Sequence, residues 1–170
     1  MPLSNAELDH YARQVIIAEL GAGGQEKLLA CRVLLVGQSR QQAALYLKAT
    51  GLGVQAHNED GLDGTARPDL IAIAGATGLG AAALARLRDL GVPILWYAIK
   101  GTSIQHGLES RGQEQLCPDL EREALGAAAS TEQQDSALHA VAGADLATGC
   151  VALVAGWTET TTTSGATDLA

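Results

Sequence analysis

A turn after one apolar run holds the residues best placed for chemistry. Residues 33–36 are apolar and end in Gly37, and Gln38, Ser39 and Arg40 follow before a helical pattern starts. Such a strand–turn–helix unit binds phosphate when glycines let its backbone N–H groups approach the ligand. Bulky side chains stand in this turn instead, so they should fill the space that a phosphate needs. We interpret Gly37 and Arg40 as the remnant of a cofactor site. The alternative is that the Arg40 guanidinium replaces the missing backbone donors.

The cysteines do not suggest a metal site. Cys31, Cys117 and Cys150 are widely spaced, with no CxxC pair and no cluster with histidine. Zinc sites and disulfide frameworks need closer or paired cysteines, so we expect no metal and a reducing, cytoplasmic compartment. Cys117 could be a reactive thiol, but nothing near it in the sequence would clearly lower its pKa. Cys31 and Cys150 are expected to pack in the core.

Composition and charge argue against two classes of partner. The 170 residues are 47% hydrophobic but contain no phenylalanine, so the core must be mainly aliphatic. The net charge of −8 disfavours binding to nucleic acid or to an anionic membrane surface. Residues 137–157 are apolar but include His139 and Asp145, which predicts a buried helix and not a membrane span. Nothing at the N-terminus resembles a signal peptide.

Alternating strands and helices predict the fold class. Residues 4–7 have the capping-box pattern of a first helix, which Gly21, Gly23 and Gly24 should end. Further helices are predicted at residues 25–30, 41–50, 80–90 and 137–154, and strands at residues 32–37, 53–57, 69–74 and 92–98. This order predicts a Rossmann-like α/β fold, with a mostly parallel sheet, flanking helices, an N-terminal helical extension and an antiparallel edge at residues 101–109. We expect one domain over residues 1–157, including a polar loop with a short helix at 110–136, and a disordered tail over 158–170.

Two motifs near the N-terminus point to a known family. Residues 11–14 read Tyr-x-Arg-Gln, and residues 24–28 read Gly-Gln-Glu-Lys-Leu, just before the first predicted strand. They resemble the N-terminus of the ThiF/MoeB/HesA family, the bacterial relatives of ubiquitin-activating enzymes. Residues 67–107 and 143–156 resemble later segments of that family. The resemblance spans residues 3–157 and implies a dimer that uses ATP and magnesium to adenylate a ubiquitin-like carrier or a related peptide.

The family's ATP site is incomplete in this chain. The family loop reads Gly-x-Gly-Gly-x-Gly, of which Gly37 begins a Gly-Gln-Ser-Arg-Gln-Gln stretch here. Glu59 or Asp60 could match the acid that binds ribose. Thr77 matches the threonine of an Asp-x-Thr-Asp-Asn motif, but both aspartates that would hold magnesium are replaced. With Arg40, the positions Gly37, Asp60 and Thr77 are therefore vestigial cofactor-binding positions.

The catalytic residues of the family have no counterpart either. Only eight residues separate Asp60 from Asp69, too few for the crossover helix with the catalytic arginine and lysine. Arg13 matches an arginine that, in family dimers, enters the partner's ATP site. The plainer interpretation is an exposed arginine that pairs with Glu7 or Asp9, or that packs at a dimer interface.

The resemblance and these losses together predict a catalytically degenerate family member. We expect a homodimer that binds or regulates a full-length homologue or a ubiquitin-like carrier, in a sulfur-carrier or peptide-modification pathway. Neither ATP nor magnesium should be bound. One alternative is an atypical adenylyltransferase, whose site Arg40, Lys48, Lys100 and Asp60 would have to rebuild. The other is a Rossmann protein that binds a different small molecule, such as a dinucleotide or S-adenosylmethionine.

Overall fold

Six strands form one sheet in the order β2-β1-β3-β4-β5-β6. The computed structural model describes residues 2–57, 67–76, 79–100, 103–109, 118–125, 136–157 and 165–168. The strands are β1 (Arg32–Val36), β2 (Gly53–Ala56), β3 (Leu70–Ala74), β4 (Ile94–Lys100), β5 (Ser103–Glu109) and β6 (Gly165–Asp168). The first four strands are parallel, whereas β5 and β6 pair antiparallel with their neighbours. The predicted Rossmann-like α/β fold and its antiparallel edge are confirmed.

Helices cover both faces of the sheet. They are α1 (Asn5–His10), α2 (Ala12–Val15), α3 (Gly21–Ala30), α4 (Arg40–Ala49), α5 (Ala81–Asp89), α6 (Pro118–Leu125) and α7 (Ser136–Ala155). Alternate residues of β1 point to opposite faces: Val33 and Leu35 lie in one apolar cluster, and Leu34 and Val36 lie in the other. The first cluster packs under α3, α4 and α7, and the second packs under α5 and α6. A strand buried on both faces needs this double cover, and every residue of β3 is buried.

The N-terminal helices do not end and begin where the prediction placed them, around Gly21, Gly23 and Gly24. The capping box is present, since Ser4 and Glu7 exchange hydrogen bonds. The glycines were expected to end the first helix, but α1 and α2 end earlier and α3 begins at Gly21. Gly21 has a φ of +58° where the chain turns into α3, and a Cβ on Gly24 would meet the Leu20 side chain at 2.6 Å. The glycine run therefore starts a helix that tertiary packing stabilises, despite the low helix propensity of glycine.

The long apolar helix α7 lies against the sheet. It contacts α4, α3, β4 and β3 and buries Ala142, Leu146, Ala147 and Cys150 in the first cluster. Among the described residues it is the one helix long and apolar enough to span a bilayer, and 33% of its most apolar window is buried. The predicted helix is thus present as a cover of the sheet, with much of its apolar surface outside the core.

The segments after β5 are described only in part. The short helix predicted within residues 110–136 corresponds to α6, and the rest of that segment up to the start of α7 lies outside the described residues. In the tail, residues 165–168 form β6, which pairs with β5 in place of the disorder expected there. The pairing has a simple cause, because an edge strand presents unpaired backbone donors and acceptors that another strand can satisfy.

Candidate functional site

The ends of β1 and β3 meet through two glycines. Gly37 has a φ of +103° and Gly75 a φ of +77°, both in the region that favours glycine. A Cβ on Gly37 would lie 2.9 Å from the Ala74 carbonyl carbon and closer still to its oxygen. The close approach of the two strands therefore requires Gly37 whether or not a nucleotide binds. The same contact explains why this glycine remains when the other loop glycines are absent.

The turn between β1 and α4 satisfies its own polar groups. The Ser39 backbone N–H donates to the Ala74 carbonyl at 2.9 Å, and the Gln38 N–H faces the Gly75 carbonyl at 3.5 Å. The Arg40 guanidinium folds back and donates to the Gly37 carbonyl at 3.1 Å. Phosphate loops instead point such N–H groups at the ligand. Gly37 and Arg40 thus lie together, in a turn whose described donors are directed to protein carbonyls.

A buried polar group that the sequence did not predict lies beside this turn. Ser39 Oγ is 2.5 Å from Nδ1 of His139, which α7 supplies, and Tyr97 of β4 lies near both. Burial raises the pKa of Tyr97 to about 12, and the Ser39 side chain partly opposes that rise. The one available signal was a histidine on an apolar helix, which is more often a core residue than a site residue. The pairing partner lies 100 residues away and could not be read from spacing.

Two of the predicted cofactor positions cannot be placed. Asp60 and Thr77 both lie outside the described residues, so their relation to Gly37 and Arg40 stays a prediction. Lys48 is exposed near the end of α4, at the opposite end of that helix from the β1 turn. Within the described ranges, no group of three His, Cys, Asp or Glu side chains could hold a metal ion.

The N-terminal motif anchors the end of α4. Gln14 Nε2 donates to the Ala49 carbonyl at 2.9 Å, and Gln25 Nε2 donates to the Thr50 carbonyl at 3.0 Å. Tyr11 lies against Gly51, where an added Cβ would meet its hydroxyl at 3.2 Å. The last carbonyls of a helix lack partners within the helix, so these side chains supply them. Both motif segments are therefore explained in this chain by a packing role.

Arg13, in the middle of the same motif, makes no hydrogen bond to the end of α4 among the described residues. It is exposed, and no hydrogen bond or ion pair joins its guanidinium to another described residue. The expected pairing with Glu7 or Asp9 is absent, and Glu7 bonds to Ser4 instead. The Arg13 side chain is thus accessible on the surface.

Two cysteines are buried and keep their protons. Burial raises the pKa of Cys31 to about 11, and burial raises the pKa of the Cys150 thiol as well. Both are free thiols in the first apolar cluster, as predicted, and their high pKa makes them poor nucleophiles. Cys117 lies outside the described residues.

An apolar groove of about 400 Å³ lies between the N-terminal helices, α4 and α7. Ile17, Tyr46, Val151 and Trp157 line it, and Trp157 Nε1 donates to the Glu19 carbonyl at 3.0 Å. Two apolar residues near the lining residues in the chain are also exposed: Ile16, beside Ile17, at 80%, and Val141, one turn before Ala144 on α7, at 48%. Exposed apolar patches often mark interaction sites.

Curated sequences match the chain over a limited stretch. The "adenylyltransferase and sulfurtransferase uba4" of Aspergillus fumigatus is 48% identical over 54 residues, which is 31% of this chain and 11% of that protein. The "adenylyltransferase and sulfurtransferase MOCS3" of Anopheles gambiae is 45% identical over 53 residues, 30% of this chain and 12% of that protein. The matches span only about a tenth of the length of these relatives. No family model matches the chain.

Solved structures match the fold over nearly the whole chain. Selenomethionine PaaA superposes with a TM-score of 0.66 at 12% identity, covering 98% of this chain and 84% of PaaA. Escherichia coli MccB solved with ATP superposes with a TM-score of 0.61 at 11% identity, covering 92% of this chain and 71% of MccB. These proteins share the adenylation fold, and the sequence match is to adenylyltransferases of the same kind. The chain therefore has the fold of ThiF/MoeB-like adenylation proteins, and over about a third of its length it resembles adenylyltransferases in sequence.

Proposed function

We propose that this chain is a non-adenylating member of its family that acts by binding another protein. The observation that carries the proposal is the closed turn after β1, in which Ser39 N–H donates to Ala74 and Arg40 donates to Gly37. A phosphate would have to displace both bonds and would find no glycine-rich backbone to replace them. The described residues of the β1 turn offer a poor fit to the phosphates of ATP, so we derive no adenylation step through them.

The proposed binding surface is the apolar groove and its rim. We propose that it holds a second copy of the chain, a full-length homologue or a ubiquitin-like carrier, with Arg13 at the edge of the contact. The net charge of −8 supports a protein partner over nucleic acid or an anionic membrane. A cytoplasmic location is part of the proposal, and it rests on the unpaired thiols of Cys31 and Cys150.

The second candidate is an atypical adenylyltransferase. The identity of 48% over 54 residues with an adenylyltransferase favours it. In this chain, however, the Tyr-x-Arg-Gln and Gly-Gln-Glu-Lys-Leu segments hold α4 in place, so their presence does not require catalysis.

Calorimetric titration with ATP and magnesium tests the choice between the two candidates. We expect no measurable heat of binding up to millimolar ATP, because the donors of the β1 turn are already used. E. coli MccB, which has been solved with ATP, is the positive control. A dissociation constant in the micromolar range for this chain would contradict the proposal and favour the adenylyltransferase.

A further inference from the structure

A serine and a histidine form a buried hydrogen-bonded pair at the carboxyl end of β1. Ser39 Oγ lies 2.5 Å from His139 Nδ1, and the residues are 2% and 6% exposed. Ser39 is the N-cap residue of α4, yet its hydroxyl caps no backbone N–H of that helix. N-cap serines are favoured because the hydroxyl accepts such a bond. Here the hydroxyl contacts a side chain from α7 instead, so its position calls for a reason other than capping.

Tyr97 adds an unsatisfied donor to the same place. The residue is 1% exposed, and its hydroxyl lies close enough to the Ser39 side chain to be affected by it, but without the geometry of a hydrogen bond. Its ring centroid lies 6.5 Å from that of His139. A tyrosine hydroxyl keeps its proton at neutral pH, and burial raises the pKa of Tyr97 further, so this hydroxyl can donate. An unpaired buried donor costs free energy that an oxygen atom of a ligand would recover.

The serine also occupies a position suited to a nucleophile. It follows Gly37 and Gln38 in the turn between a central parallel strand and a helix, the Gly-x-Ser placement that α/β-hydrolases use. Three features depart from that pattern. Gln41 stands at the second glycine position, Ser39 has a φ of −98° in place of a strained positive angle, and Ser39 is buried where the hydrolase serine is exposed. The hydroxyl is nevertheless held against a base, which is the geometric requirement for activating it.

We propose that Ser39 and His139 are a nucleophile and its base for small activated acyl esters, with the Tyr97 hydroxyl stabilising the oxyanion. Ser39 Oγ bonds to the acyl carbon while its proton passes to His139 Nδ1. The ester C–O bond breaks, and the leaving alcohol takes that proton. A water molecule that gives its proton to His139 then attacks the acyl-serine, the C–Oγ bond breaks, and Ser39 regains the proton as the carboxylic acid leaves. The reaction uses no nucleotide and no metal, so it is independent of the proposed partner-binding function.

Acetyl transfer from p-nitrophenyl acetate tests the proposal on the full chain. We expect release of p-nitrophenol above the rate in buffer, and peptide mapping by mass spectrometry should place an acetyl group on Ser39. Ser39→Ala should abolish both signals. His139→Gln should slow release by about 10²- to 10⁴-fold, and Tyr97→Phe by about 10²- to 10³-fold, as for a general base and an oxyanion donor.

Two exposed residues provide matched controls. Ser4→Ala and His10→Gln remove a hydroxyl and an imidazole elsewhere and should leave the rate unchanged. Circular dichroism checks that each variant is folded. The wild-type protein alone also decides the question if a variant fails to fold. Acetylation absent from Ser39, or hydrolysis retained by a folded Ser39→Ala variant, would overturn the proposal. Either result would leave the ATP titration and its interpretation unaffected.

Discussion

Gly37 illustrates how a residue can suggest a ligand site although its presence is explained by packing. Read from the sequence, it is the remaining member of a phosphate loop. In the fold it is required because its Cα faces the Ala74 carbonyl with no room for a Cβ. The sequence could not distinguish the two reasons, because both predict a glycine directly after the strand. The pair of Ser39 and His139 was missed for a related reason, since 100 residues separate its members.

Substitution of Gly37 tests this residue-scale explanation. Gly37→Ala should lower the free energy of unfolding by about 2 to 4 kcal/mol, because it adds a clash with the Ala74 carbonyl to a positive φ. Urea denaturation measures the change. Gly23→Ala is the matched control: nothing lies within 4 Å of its added Cβ, and it lies within α3. That control should stabilise the protein by about 0.5 to 1 kcal/mol. Equal free energies of unfolding for Gly37→Ala and the wild type would show that β1 and β3 can move apart at this point without loss of stability.

At the scale of elements, an arginine–glutamate pair connects helix α5 to strand β5 on the second face of the sheet. Arg88 of α5 donates to both carboxylate oxygens of Glu109 in β5, at 2.9 Å each. The two side chains are only 16% and 10% exposed, and Arg88 also lies 4.0 Å from Glu121 of α6. Bidentate pairs hold a fixed orientation, so this one should set the position of α5 against the antiparallel edge.

Removing Arg88 from this pair should lower the free energy of unfolding more than removing an arginine from an exposed ion pair does. Arg88→Met deprives a largely buried carboxylate of two hydrogen bonds, and we expect a loss of about 1 to 3 kcal/mol in the free energy of unfolding. The exposed pair of Arg32 and Asp69, with both side chains 50% exposed, is the control. Arg32→Met should cost less than about 0.5 kcal/mol. Similar losses for both variants in urea denaturation would contradict an orienting role for Arg88.

The elements themselves were largely predictable, and the exceptions have physical causes. Hydrophobic runs and flanking turns located the first five strands and most helices, because burial of apolar residues drives both patterns. The predicted start of α3 was wrong. Close packing of Gly24 on Leu20 outweighs the low helix propensity of glycine. Strand β6 was also missed, because its tail sequence is polar and its partner β5 supplies the reason for pairing.

For the whole molecule, the sequence predicted the fold family but not the distribution of apolar surface. Helix α7 was predicted to be buried, yet Val141 within it is 48% exposed, and Trp157 just after it is 41% exposed. The burial of a helix depends on how many elements pack around it, which hydrophobicity alone does not specify. The second face of the sheet carries α5 and α6, whereas α7 and α4 leave an open groove on the first face. This asymmetry is why we propose the first face as the side that binds a partner.

Dimerisation through this face is the prediction that tests the molecule as a whole. At high concentration, light scattering should give about twice the monomer mass of 17.4 kDa. Val141→Asp places a charge on the exposed side of α7 and should shift the equilibrium toward monomer, because burying an unpaired carboxylate is costly. Arg13→Ala should weaken the dimer by about 1 to 3 kcal/mol if its guanidinium pairs across a buried contact, and by less at an exposed rim. Ala85→Asp adds the same charge to the exposed surface of α5, on the opposite side of the sheet, and should leave the dimer intact. A wild-type protein that remains at 17.4 kDa, or equal effects of the two aspartate substitutions, would show that the groove does not bind a second copy.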